Sequence, residues 1–219
     1  MKVTQRRFIV FIIGFFGIWI SSWLVHEGLW QMGLPMPVGT TENLVYWTVA
    51  KLLVWVVYPL LYWRAPLREQ LKFIGVRRPG PGMVWGVGAT AAWLALSAVL
   101  MVMSGRYLGS DVNVPIFIYS VLLTPVFEEV MFRGYIQSAL RAQNIRFAYV
   151  NMAAAGLFVL IHCVGWSFQG TLMNNLVSVV PALFCLSLIF GYIRERSGSL
   201  LAPIILHIGN NGFASLLRY

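Results

Sequence analysis

Apolar stretches about as long as a bilayer is thick recur about seven times along this chain. They fall at roughly 8–25, 44–63, 83–104, 116–140, 147–165, 173–193 and 200–217, each boundary good to several residues. In lipid there is no water to take up an unpaired backbone group, so such stretches must be helices that satisfy their own hydrogen bonds. The expected fold is all-α: a polytopic transmembrane helical bundle of about seven spans, forming a single membrane domain over 1–219. The composition agrees, at 59% hydrophobic and only 11% charged, where soluble domains run near a quarter charged. The N-terminus, MKVTQRRFIVFIIGFFGIWISSWLV, starts like a signal peptide. Its apolar run is long and lacks a small-residue cleavage pattern, so it reads as a retained first span.

The net charge of +9 does not point to nucleic acid, because the basic residues lie between apolar segments and form no single patch. Lys2, Arg6 and Arg7 precede the first segment, and Arg64, Arg68, Lys72, Arg77 and Arg78 follow the second. Arg141 and Arg146 follow the fourth, and Arg194 and Arg196 the sixth. The intervening loops carry little beyond Arg106. This alternation predicts a cytoplasmic N-terminus and a C-terminus, ending Arg218–Tyr219, on the outside. The stretch APLREQLKFIGVRRPGPG, 65–82, reads either as a short amphipathic helix on the cytoplasmic surface or as a basic connector. Cys163 and Cys185 form no CxxC pair, so neither a zinc site nor a disulfide framework is indicated. The Trp and Tyr residues near span ends read as interface anchors, with no substrate role.

An ionisable group in hydrocarbon is costly and usually faces a cavity. Of the seven acids, Glu27, Glu42, Glu69, Asp111 and Glu195 are placed in loops, which leaves Glu128 and Glu129 inside the fourth segment. On a helix Glu129 and Arg133 are four residues apart and can pair, while Glu128 is rotated about 100° away. Arg133 can therefore neutralise Glu129 in a buried clamp and leave Glu128 facing a cavity, as a general base requires. His162, in the fifth segment, is either a helix-to-helix hydrogen bond or part of a site. His207 and Asn211, in the seventh, share a face and form either a pair of oxyanion donors or a polar packing pair. His26 is placed in a loop. Lys51 reads first as a snorkelling residue, with lining of the cavity as the alternative. One glutamate and two histidines also raise zinc, but no HExxH is present and Asn is a poor zinc ligand, so no metal and no other cofactor is assigned.

Three motifs in order, each inside an expected span, resemble the CPBP intramembrane proteases (CAAX proteases and bacteriocin-processing enzymes, also called the Abi family). They are EExxxR at Glu128, Glu129 and Arg133, followed by Gly134; FxxxH at Phe158 and His162; and HxxxN at His207 and Asn211, approached through SGSLLAPIILH. The resemblance covers about 115–217 as a catalytic core; the first half of the chain carries nothing diagnostic. It implies a glutamic-type intramembrane endopeptidase. Glu128 and His162 would activate a water, His207 and Asn211 would stabilise the oxyanion, and Glu129 and Arg133 would support the site. Implied partners are the lipid bilayer and a membrane-anchored or lipidated protein or peptide, cut near a C-terminal or leader segment. The role would be prokaryotic C-terminal sorting or anchor processing, CAAX-type cleavage or bacteriocin processing. The short chain points to a bacterial inner membrane. A non-catalytic bacteriocin-immunity or scaffold protein is the alternative. A transporter fits less well, since no inverted repeat of broken helices is present.

Overall fold

The computed structural model describes residues 3–76 and 79–218. Lys2, Arg77, Arg78 and Tyr219, which entered the reading of orientation, lie outside the described residues. The described chain is helical almost throughout: α1 (Gln5–Gln31), α2 (Thr41–Trp63), α3 (Leu67–Phe73), α4 (Pro79–Met103), α5 (Val114–Arg141), α6 (Phe147–Phe168), α7 (Leu172–Ser178), α8 (Val180–Ser197) and α9 (Leu201–Leu216). Two residues between α4 and α5 pair with two that follow α9 as a short antiparallel ribbon, β1 (Tyr107–Leu108) with β2 (Leu217–Arg218).

The all-α membrane bundle is present, with a looser count of spans. Helices α1, α2, α4, α5 and α6 are long and apolar enough to cross a bilayer, and α7 with α8 makes a sixth candidate bent by 61°. The bend falls where Pro181 opens α8, because proline has no N–H to continue the hydrogen-bond ladder. The seventh expected span is α9, at 16 residues. It is about 24 Å long, short of the hydrocarbon thickness of roughly 30 Å. The 65–82 stretch holds the seven-residue helix α3. Several residues placed in loops by sequence are helical: His26 and Glu27 in α1, Glu42 in α2, Glu69 in α3 and Glu195 in α8.

Two helices depart from straight α geometry near the polar residues. Leu52–Val57 in α2 and Ile118–Leu123 in α5 are wide, π-helical turns, and each ends just before a proline, Pro59 and Pro125. A proline leaves the carbonyl one turn back without its donor, and a wider turn reroutes the ladder around that gap. A third wide turn, Val130–Ile136, follows Glu129 directly. Glu128 and Glu129 thus sit on a short α segment between two wide turns, a placement often found at functional sites.

The core is aromatic. Phe11, Phe15 and Trp19 of α1 pack with Trp55 of α2, Phe132 and Tyr135 of α5 and Phe158 of α6. Helix α4 lies outside, with Val84, Val99, Val102 and Met103 exposed on the outer face of the bundle. It docks through its small residues: a Cβ at Gly86 would stand 2.9 Å from Ile205 Cδ1 and 3.2 Å from the Ala202 Cα. Gly82, Gly86 and Thr90 recur every fourth residue, the spacing that lets membrane helices approach closely. Helix α9, which carries His207, is held in place by that contact.

Candidate active site

Helices α2, α5, α6, α8 and α9 bring the membrane-embedded polar residues together. At the base, Arg133 Nη1 donates to Glu129 Oε1 at 2.9 Å, and both side chains are almost fully buried. Arg133 Nη2 donates to the Ser187 carbonyl at 2.9 Å and lies 2.7 Å from the Ser187 hydroxyl oxygen, which ties α5 to α8. The guanidinium is sandwiched between the rings of Phe158 and Phe190, 4.8 and 5.1 Å from their centroids. Such contacts offset part of the cost of removing the cation from water. His207 Nδ1 reaches the same Glu129 oxygen at 2.9 Å, with its ring stacked on Phe190.

Glu128 has a looser environment. His207 Nε2 is 3.6 Å from its Oε2 and Lys51 Nζ is 3.8 Å from its Oε1, both beyond ordinary hydrogen-bond length. Lys51 does not snorkel. It is buried, lies 3.1 Å from Thr124 Oγ1, and sits over the rings of Trp55 and Tyr119 at 5.2 and 5.1 Å. Its distance from either end of α2 explains this, since the stem cannot carry the ammonium to the interface. Two carboxylates, Glu128 and Glu129, thus face two cations, Lys51 and Arg133, so the cluster balances its formal charge inside the bundle.

Glu128, His162 and Lys51 line one cavity of about 260 Å³. The rest of its wall includes Trp19, Trp23, Asn43, Trp47, Trp55 and Trp166. Trp19, Trp47 and Trp55 are buried in the bundle and are not interface anchors. The indole N–H groups of Trp23 and Trp55 are buried without an acceptor. His162 Nδ1 lies 2.7 Å from the Phe158 carbonyl, which can only accept, so Nδ1 carries the proton. In the neutral ring, Nε2 is then left as an acceptor.

Neither His207 nor Asn211 lines this cavity, and Asn211 is turned toward α5. Its amide donates to the Ser120 carbonyl at 2.9 Å, and its oxygen accepts from Asn210 at 3.0 Å. It ties α9 to the wide turn of α5 and is not part of the cavity wall. Among the described residues, no group of three His, Cys, Asp or Glu side chains converges to hold a metal ion.

Residues 110–213 match the family model described as Type II CAAX prenyl endopeptidase Rce1-like. These residues form an Rce1-like domain. The domain belongs with the CPBP/CAAX proteases and sits among helices long and apolar enough to cross a membrane. It contains Glu128, Glu129, Arg133, His162, His207 and Asn211, whereas Lys51 and the tryptophans of α1 and α2 lie outside the matched residues. The chain is also 26% identical, over 229 aligned positions and 95% of each chain, to an uncharacterized 24.3 kDa protein of Escherichia coli. No solved structure matches.

Proposed function

We propose that the chain is a glutamic-type intramembrane endopeptidase, in which the Rce1-like domain supplies the catalytic groups and α1 and α2 wall the cavity. The observation that carries this reading is the cavity shared by Glu128 and His162, one a carboxylate held by no short hydrogen bond, the other an imidazole with Nε2 free to accept. Glu128 takes a proton from a water as the water oxygen attacks the scissile carbonyl, and His162 Nε2 accepts that water's second hydrogen bond. His207 Nδ1–H donates to Glu129, and a second proton on Nε2, beside Glu128, would stabilise the developing oxyanion. Collapse of the intermediate breaks the C–N bond as the proton passes from Glu128 to the leaving amine. The products are a carboxylate and an amine, and no metal is assigned to the reaction.

Glu129 and Arg133 hold His207 and α8 in register. Asn211 fixes α9, and with it His207, against α5. Lys51 acts through Glu128, keeping a negative charge beside the cavity tolerable. Lys51→Met is expected to lower turnover roughly 10²-fold. Lys51→Arg should restore part of it, which a purely packing role would not produce.

The substrate class is a membrane-anchored or lipidated protein cut near a C-terminal or leader segment, in a bacterial inner membrane, with the N-terminus of this chain cytoplasmic and its C-terminus outside. The test compares membrane proteins from cells carrying the wild-type chain or Glu128→Ala by terminus-resolved mass spectrometry. A protein that gains an uncleaved tail only in the variant identifies the substrate. Unchanged termini in cells where both forms support the same phenotype would replace this reading with a non-catalytic immunity or scaffold role.

A further inference from the structure

A second polar pocket lies at the end of the bundle where the basic residues gather. It has a volume of about 480 Å³ and is lined by Phe73 at the end of α3, by Arg133, Gln137, Ser138 and Arg141 of α5, and by Arg194 of α8, among others. Its charges do not cancel. Arg133 is committed to Glu129, and Arg141 is 3.0 Å from Glu195. Among the described residues, Arg194 has no carboxylate within ion-pair distance, and Glu195, which also lines the pocket, is held by Arg141. The one short contact of Arg194 is Nη2 donating to the Ile74 carbonyl at 3.1 Å, and its Nε–H is buried without an acceptor. Arg133 Nε–H is likewise buried and unpaired.

Two guanidinium groups lining one pocket thus each hold a buried donor with nothing to receive it, which is rare in folded proteins. The loop after α3 is shaped around Arg194. Gly75 has φ +84°, and any Cβ there would run into the Arg194 guanidinium. The cation is built into the fold and is not a free surface side chain.

We infer that this pocket binds the phosphate group of an anionic phospholipid. Phosphate matches a guanidinium in planar, bidentate geometry. Ser138 adds a hydroxyl donor to the pocket wall. Phe73 and Ala142 offer apolar surface beside it for the first carbons of a lipid. Basic pockets between membrane helices on the side rich in Lys and Arg are a recurring lipid-headgroup site. The neighbouring basic residues Arg64, Arg68, Lys72, Arg146 and Arg196 follow or precede the helix ends on the same side of the sequence pattern, so they raise the local potential for an anion. A bound headgroup would clasp α3, α5 and α8 together. This inference does not depend on the catalytic reading.

The experiment follows thermal unfolding of the full-length protein in mixed micelles. Phosphatidylcholine, phosphatidylglycerol and inorganic phosphate are added separately. Phosphatidylglycerol is expected to raise the midpoint by about 5–10 °C at saturating concentration, the order given by a ligand at about 100 times its Kd. Phosphatidylcholine should have little effect, and Arg194→Gln should lose most of the rise. A rise given equally by inorganic phosphate would keep the phosphate site but assign it to the free ion. Equal rises with both lipids, or a full rise in Arg194→Gln, would overturn the proposal. Arg141→Gln provides a second variant if Arg194→Gln does not fold. Substrate cleavage should persist in both.

Discussion

Glu128→Gln is expected to lower peptide cleavage by roughly 10³-fold while the protein still folds, the size of effect general-base removal commonly has. The geometry separates these two outcomes. Among the described residues Glu128 makes no short hydrogen bond, and its nearest charged neighbours stand at 3.6 and 3.8 Å. An amide fills the same volume and keeps contact with the cavity, but it cannot accept a proton from water. Lys51 retains Thr124 and the faces of Trp55 and Tyr119, so it is not abandoned. Glu129→Gln is the matched control. Glu129 is fully buried and accepts from both Arg133 and His207 at 2.9 Å. Its neutralisation should therefore appear first as a lower unfolding temperature. The measurement is cleavage rate and unfolding midpoint on the same purified samples. A Glu128→Gln protein that cuts at the wild-type rate would remove Glu128 from the chemistry.

The charged residues of α5 were legible in the sequence because they interrupt an apolar run, and polarity in lipid is expensive enough to need a reason. The pairing of Glu129 with Arg133 follows from a spacing of four. The wide turns do not disturb it, since the contact still forms at 2.9 Å. Lys51 was harder to read. A single lysine in an apolar segment has a cheap alternative, snorkelling, and its depth in α2, together with the packing of α2 between α1 and α5, removes it. The tryptophans misled for a related reason. Their amphipathic rings suit the membrane interface, and nothing local in α1 or α2 says that Trp19, Trp47 and Trp55 turn inward toward one cavity. Asn211 shares a face with His207 in the sequence, yet its amide is drawn to the Ser120 carbonyl on α5. That carbonyl lies in a wide turn, where the backbone ladder is rerouted. Pro59, Pro125 and Pro181 were visible signals of these local departures. The Gly82, Gly86 and Thr90 spacing was a visible signal for the docking of α4 on α9. Membership of the catalytic core was carried by the second half of the chain, while the cavity wall comes largely from the first.

Arg133→Met should be the most damaging single substitution for stability. The guanidinium is 1% exposed and serves three partners at once: Glu129, the Ser187 carbonyl and the Ser187 hydroxyl. Methionine fills much of the volume between Phe158 and Phe190 but leaves the Glu129 charge with His207 as its one remaining short partner. Breaking a buried pair by removing one member costs about 3–5 kcal/mol, because the other charge stays behind uncompensated. For a chain of this length that corresponds to a fall in the unfolding midpoint of roughly 10 °C. The double substitution Glu129→Gln with Arg133→Met should recover a large part of the loss, since it removes both charges and keeps the volume. Activity should not return with stability. His207 would then lack the carboxylate that orients Nδ1 and, through the ring, the Nε2–H presented beside Glu128. Recovery of the midpoint without recovery of cleavage is therefore the expected pair of results. If the single variant unfolds at the wild-type temperature, the ion pair is not what fastens α5 to α8 and α9. If the double variant regains full activity, His207 does not depend on Glu129 for its orientation.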